Sequence, residues 1–173
     1  MKLARVALGV ACLAVINLGN VYAQNRVVKE QGLPFPSKKY DSDSYRGHPQ
    51  NWEVERGGRG MLYVANNNGV LQYDGERWRK IHLNSKGFIR SLEVDSTIYV
   101  GATGNLGYLT PDSTGTLQFQ SLLDHLPERE RSFEDIWNTH RVEQGIYFQA
   151  QKWLVRWDWE EMTSWTSQDG FHT

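Results

Sequence analysis

The sequence predicts an all-β chain: a partial β-propeller of about three four-stranded antiparallel blades, preceded by a signal peptide. Three observations predict it. Met61 to Trp78, MLYVANNNGVLQYDGERW, reads as a strand, an Asn-Gly turn, a second strand, an Asp-Gly turn and a third strand. Leu62-Tyr63-Val64 returns as Ile98-Tyr99-Val100 and as Ile146-Tyr147-Phe148, a period of roughly 36 to 48 residues that matches the length of a propeller blade. Each repeated tyrosine is followed by a second aromatic, Tyr73, Tyr108 or Trp157, and by a third, Trp78, Phe119 or Trp165. A propeller is a scaffold, so activity must be sought in its loops or in whatever is joined to it.

At the amino terminus, Lys2 and Arg5 precede an apolar stretch from Val6 to Leu18, and Val21-Tyr22-Ala23 precedes Gln24. Residues 1–23 read as a cleavable secretory signal peptide. An uncleaved anchor is the rival, but Asn17 and Asn20 interrupt a run that needs about 20 apolar residues to span a bilayer. Cys12, the one cysteine, lies inside this segment, so the mature chain has no disulfide and no thiol chemistry. Lipidation would call for a larger aliphatic residue where Gly9 stands. Removing Lys2 and Arg5 from the 19 basic residues leaves 17 against 20 acidic, a formal charge of −3. That balance lacks the basic excess of nucleic-acid binding, and the expected location is periplasmic or otherwise extracytoplasmic.

Residues 24–50 read as an extended lead-in, in which Pro34 and Pro36 discourage helix and DSDS at 41–44 supplies turn formers. Blade one occupies 51–84, with strands at Asn51–Val54, Met61–Ala65, Val70–Tyr73 and Arg77–Ile81. Blade two occupies 85–131, with strands at Ile89–Val94, Ile98–Ala102, Leu106–Leu109 and Thr116–Ser121. Its insertion, LLDHLPERER at 122–131, predicts a loop with one helical turn. Blade three occupies 132–173, with strands at Asp135–Val142, Ile146–Ala150, Trp153–Asp158 and Met162–Thr166; Gln151 and Lys152 stand where the other blades have Gly69 and Gly107. Propellers typically carry 4–8 blades, so the chain is expected to be truncated relative to a closed ring.

Asn51-Trp52, Gly60, Tyr63, Asn66, Gly69-Val70-Leu71, Tyr73-Asp74-Gly75 and Trp78 form an ordered set that resembles the first blade of the two-component-regulator propeller family, in particular exported sensors ending in a triple-tyrosine domain. IYVGATGNLGYL at 98–109 and SFEDIW at 132–137 resemble its following blades. The chain departs from that pattern in having Tyr63, Tyr99 and Tyr147 where tryptophan is usual, and Glu55-Arg56 where an acidic pair ending in Asp is common. The resemblance implies an outward-facing sensory propeller whose partners are the remaining blades and a membrane-spanning output module of the parent protein, a kinase, cyclase or DNA-binding regulator.

The second-to-third strand turns of a four-stranded meander share one end with the connections between blades. Asn66–Gly69, Thr103–Asn105 and Gln149–Lys152 are therefore expected to gather with Asn84–Gly87 and Glu130–Ser132. This face, rich in amides and hydroxyls, suits a carbohydrate or other small polar ligand, with Asn67, Thr103, Asn105, Arg131, Gln151 and Trp159 as candidate contacts. Asn-Gly also serves the hairpin in its own right, since the turn needs φ > 0. Trp153, Trp157 and Trp159 are expected on one strand face with Val155. Aromatic platforms bind sugar rings, yet aromatics also dominate cores; core packing is the expectation here, with Trp159, at the strand end, as the exception.

Acidic pairs at Glu128 and Glu130, Glu134 and Asp135, and Glu160 and Glu161 carry no spacing that marks a glycosidase. The five histidines lack HExxH spacing, and no G-x-S-x-G elbow or phosphate loop is present. No catalytic residue, metal or cofactor is predicted. The expected function is the ligand-sensing propeller segment of a signal-transduction regulator, with an exported carbohydrate-active propeller enzyme or a free binding module as the alternative.

Overall fold

The computed structural model describes residues 38–83 and 87–171. The predicted signal peptide and most of the predicted lead-in lie outside the described residues. One compact unit spans Tyr40–Thr173. It opens on a short helix, α1 (Ser42–Tyr45), where the sequence predicts extended chain. The reason lies in the serine and aspartate run itself: the Asp41 carboxylate accepts the Ser44 N–H at 2.8 Å and so caps the turn. Arg46, with φ at 52°, ends it.

Three four-stranded antiparallel sheets follow, each a simple meander and none closed on itself. The first contains β1 (Asn51–Arg56), β2 (Leu62–Asn66), β3 (Gly69–Tyr73) and β4 (Trp78–Ile81). The second contains β5 (Ile89–Val94), β6 (Ile98–Ala102), β7 (Asn105–Pro111) and β8 (Leu117–Ser121). The third contains β9 (Ile136–Val142), β10 (Gly145–Ala150), β11 (Trp153–Trp157) and β12 (Met162–Thr166). Every predicted strand is present, with ends shifted by a few residues at most. The 122–131 insertion holds two 3-10 turns, Leu123–His125 and Glu128–Glu130, rather than one helical turn. The turn glycine of the second sheet is Gly104, at φ 64°. Gly107 instead lies within β7, where a Cβ would come 2.1 Å from the Gln120 carbonyl oxygen.

The turns between third and fourth strands are built alike in all three sheets. Asp74 accepts the Glu76 and Arg77 N–H groups, Asp112 those of Thr114 and Thr116, and Asp158 those of Glu160 and Glu161. Hydrogen bonding to the ionised form holds all three carboxyls below the usual aspartate range, chiefly from Arg77 for Asp74, from Thr114 for Asp112 and from Glu161 for Asp158.

The sheets pack face to face in a propeller-like succession. Tyr63, Ala65, Val70 and Ile81 of the first bury against Ile89, Leu92, Ile98, Val100, Leu109 and Phe119 of the second. Tyr99 and Leu106 of the second join Ile136, Ile146, Phe148, Val155 and Trp157 of the third. Tyr63 and Tyr99 thus each pack toward the following sheet. Each fully buried side chain of this size contributes roughly 1.5–3 kcal/mol, and Phe148, Leu71, Ile89 and Leu92 are all of this kind. Gly101 permits the close approach of β9: a Cβ there would lie 2.3 Å from Ser91 Oγ and 2.5 Å from Ile136 Cγ2.

The first strands β1, β5 and β9 are edge strands, and side chains of one sheet satisfy backbone groups of the next. Glu53 Oε2 accepts the Leu92 N–H at 2.6 Å, Glu93 Oε2 accepts the Arg141 N–H at 3.0 Å, and Ser91 Oγ donates to the Ile136 carbonyl at 2.9 Å. Burial, the largest influence on it, pushes the Glu53 carboxyl above the usual glutamate range despite the Leu92 hydrogen bond.

The segment from Tyr40 covers the outer flank of the first sheet. Tyr45 buries with Val64 and Leu71, and Tyr40 and Trp78 pack beside them. Asn66 ties this segment down: its Oδ1 accepts the His48 N–H at 3.0 Å, and its Nδ2 donates to the His48 carbonyl at 2.6 Å and to Asn51 Oδ1 at 2.6 Å. Among the described residues no helix is long and apolar enough to cross a membrane.

Candidate functional site

The pairing registers carry a local irregularity that recurs in all three sheets. In the first, Asn51 pairs with Asn66 and Glu53 with Ala65, leaving Trp52 as the extra residue. In the second, Ile89 pairs with Ala102 and Ser91 with Gly101, leaving Arg90. In the third, Ile136 pairs with Ala150 and Asn138 with Gln149, leaving Trp137. Each is a bulge at the second residue of the first strand, and a bulge re-aims the side chain it carries. All three lie at the end of the sheets that bears the second-to-third strand turns.

The three bulged side chains meet. The Arg90 guanidinium carbon lies 4.2 Å from the Trp52 ring centroid, 5.2 Å from that of Trp137 and 5.3 Å from that of Phe88. Trp52 and Trp137 stand edge to face, with centroids 5.8 Å apart and planes at 69°. Arg90 Nε donates to Asp135 Oδ1 at 3.0 Å. The Thr103 hydroxyl also donates to that oxygen, and an isolated bridge pairs Thr103 with Asp135. Trp52 Nε1 donates to Asn67 Oδ1 at 2.7 Å. The Arg90 side chain is only 11% exposed, whereas Trp52, Phe88 and Trp137 are 42%, 46% and 40% exposed. Arg90 is thus the buried centre of a patch whose open surface is aromatic.

Beside the patch is a cleft of about 290 Å³, walled by Phe133, Asp135, Trp137, Gln151, Lys152 and Trp153. Trp137 and Asp135 belong to both patch and cleft. A larger cleft, about 710 Å³, opens at the other end between the first two sheets and is lined by residues such as Met61, Val94, Leu109 and Pro111. Tyr63, Arg59, Asp95 and Tyr108 also line it, but unlike the patch it draws, among the described residues, on the first two sheets only.

The structure brings three predicted candidates to this region: Asn67 and Thr103 hydrogen-bond to members of the patch, and Gln151 lines the cleft. It places the other three elsewhere. Asn105 is buried, accepting the Leu106 N–H at 2.9 Å and the Ser121 hydroxyl at 2.8 Å. Arg131 fastens its own loop, donating to the Leu126 carbonyl at 2.8 Å and to Asp124 at 3.2 Å. Trp159 lies beyond its strand, in the turn at the opposite end, with φ at 72° and its indole N–H donated to the Tyr99 hydroxyl at 3.1 Å. Trp153 and Trp157 do pack with the core, as expected. Residues 84–86 of the predicted face lie outside the described residues.

Trp52, Arg90 and Trp137 escape a reading based on strand alternation because the bulge breaks that alternation where they stand, and Phe88 and Asp135 escape it because they precede their strands. The available signal is positional: NWE, IRS and IWN open the three first strands with a bulky side chain in second place. No family model matches the chain, and no curated protein matches it at a significant level.

Proposed function

We propose that the chain is the extracytoplasmic, ligand-sensing part of a β-propeller regulator, and that its ligand, a carbohydrate or another small polar molecule, lies against Trp52 and Trp137 with its rim in the Asp135–Gln151 cleft. The observation that carries this reading is the convergence of three bulged side chains, one from each sheet, on a single half-exposed aromatic patch. Exposed indole surfaces offer the apolar C–H face of a sugar ring a stacking partner. Asp135, Gln151 and Lys152 supply acceptors and donors for its hydroxyls.

The same geometry supports sensing. A ligand bridging Trp52 and Trp137 touches the first and third sheets at once, so it favours one arrangement of the three sheets over others, the differential affinity that signalling requires. The partners in this reading are further blades and a membrane-spanning output module.

Titration of the protein with a panel of neutral oligosaccharides, followed by tryptophan fluorescence, tests the site. Trp137→Ala is expected to weaken binding by about tenfold or more, equivalent to roughly 1.4 kcal/mol, and Trp159→Ala to leave it unchanged. Equal losses for the two variants, or no saccharide bound at all, would refute the placement.

A further inference from the structure

We infer that Arg90 is the positioning and specificity-determining residue of this site: its guanidinium fills an aromatic cage that would otherwise receive a cationic ligand, so the site selects neutral ligands over cationic ones. The inference deepens the reading above and rests on it for the identity of the site.

Trp52 comes from the first sheet, Phe88 from the entry to the second and Trp137 from the third, and all three ring centroids lie within 5.3 Å of the Arg90 guanidinium carbon. Asp135 closes the fourth side through Arg90 Nε at 3.0 Å. Several aromatic faces and one carboxylate around a common centre are the chemistry that captures ammonium and guanidinium ligands. Here the chain supplies the cation itself.

Arg90 Nη1 is buried and has no hydrogen-bond acceptor among the described residues. A charged donor sealed from water without an acceptor is costly, and ring faces offer what compensation there is. Nη1 is also closed to solvent, so Arg90 acts on a ligand through the rings it holds. Two consequences follow. The tryptophans, which meet edge to face, owe the persistence of that orientation to the guanidinium packed against both. A second cation approaching the same rings meets a like charge a few ångströms away in surroundings of reduced dielectric, which raises the repulsion well above its value in water.

The test uses the full chain and two probes that require no saccharide. The first is the near-UV circular dichroism of the Trp52–Trp137 pair, taken as the part of the spectrum that Trp52→Phe abolishes. Arg90→Ala is expected to lose it, methylguanidinium at millimolar concentration to restore it saturably, and the neutral isostere N-methylurea to leave it lost. The second is tetramethylammonium binding to Arg90→Met and Arg90→Lys, substitutions that keep a packing side chain should Arg90→Ala not fold. Arg90→Met is expected to bind tetramethylammonium at least tenfold more tightly than Arg90→Lys or the wild type. Full retention of the band in Arg90→Ala, rescue by N-methylurea, or equal binding by Arg90→Met and Arg90→Lys would overturn the inference. Because neither probe is a sugar, these outcomes are separate from failure of the carbohydrate reading.

Discussion

The first and third sheets share a strand order and a turn chemistry, yet their outer flanks differ. On the first, Val64 and Leu71 are buried beneath Tyr45, and Asn66 anchors the covering segment through hydrogen bonds to His48 and Asn51. On the third, Leu154 is only partly buried and Trp165 is exposed, with Tyr147 stacked on Trp165 at 6.3 Å and Arg156 beside it. Registers align one position across the sheets: Ala65 in the first and Gly101 in the second, which face the following sheet, and Gln149 in the third are each the fourth residue of the LYV, IYV or IYF repeat. Small side chains stand where a neighbour comes close, and a long polar one stands where none does. Packing partners, rather than strand propensity, thus set the composition of each face.

The sharpest way to break the comparison is to enlarge those positions. Gly101→Val places its side chain within the van der Waals radius of Ser91, Ile136 and Thr139, and overpacking of a closed seam is expected to cost about 3 kcal/mol or more. Gln149→Val is expected to change stability by less than about 0.5 kcal/mol. Urea unfolding of both variants checks the contrast, and similar midpoints would show that the seam between the second and third sheets tolerates bulk as well as the outer flank of the third.

Next come the aliphatic residues beneath the covers. Leu71→Ala is expected to lose about 3 kcal/mol, as cavity formation in a core does, and Leu154→Ala about 1 kcal/mol, by the same measurement. Asn66→Ala strips the His48 and Asn68 N–H groups of the buried acceptor they share and is expected to cost about 2 kcal/mol. Hydrogen exchange should then show residues 40–48 opening ahead of the sheets, whereas retained protection there would mean that Tyr45 alone holds the segment.

The smallest effect concerns pH. Glu53 and Asn138 occupy the same register position in the first and third sheets, opposite Ala65 and Gln149. Burial raises the Glu53 pKa in the folded state, so the folded protein holds that proton more tightly than the unfolded chain does. The stability it contributes is complete below the ordinary glutamate pKa and is lost as pH rises through the raised value. Glu53→Gln keeps an acceptor for the Leu92 N–H and is expected to remove that decline in a series of melting curves from acid to neutral pH. The aspartate turns work in the opposite sense, losing their contribution as pH falls, but they occur in all three sheets and do not distinguish them.

The fold was legible because local chemistry dictated it. Asn-Gly, Asp-Gly and the aspartate turns punctuate short alternating strands, and the returning tyrosine marks the second strand of each sheet. The helix at 42–45 was hidden by the double use of aspartate and serine, which form turns and cap helices alike. The site was legible in part. Asn67, Thr103 and Gln151 could be placed from turn position alone. Arg90 and the two tryptophans could not, because their meeting depends on three bulges and on the packing of three sheets, both long-range properties. Trp159 misled for a related reason: strand alternation extends past Trp157 in the sequence, but the chain turns at Asp158.

The side chains that reach from one first strand to the backbone of the next have a mechanical consequence. Glu53 on Leu92, Glu93 on Arg141 and Ser91 on Ile136 act as pegs, each fixing the height of one sheet along its neighbour. Sliding by a single residue would pull every peg from its hole, while a small change of tilt leaves all of them seated. Neighbouring sheets are therefore free to hinge but not to shear, and a force applied at the aromatic mouth can travel down the stack only as rotation.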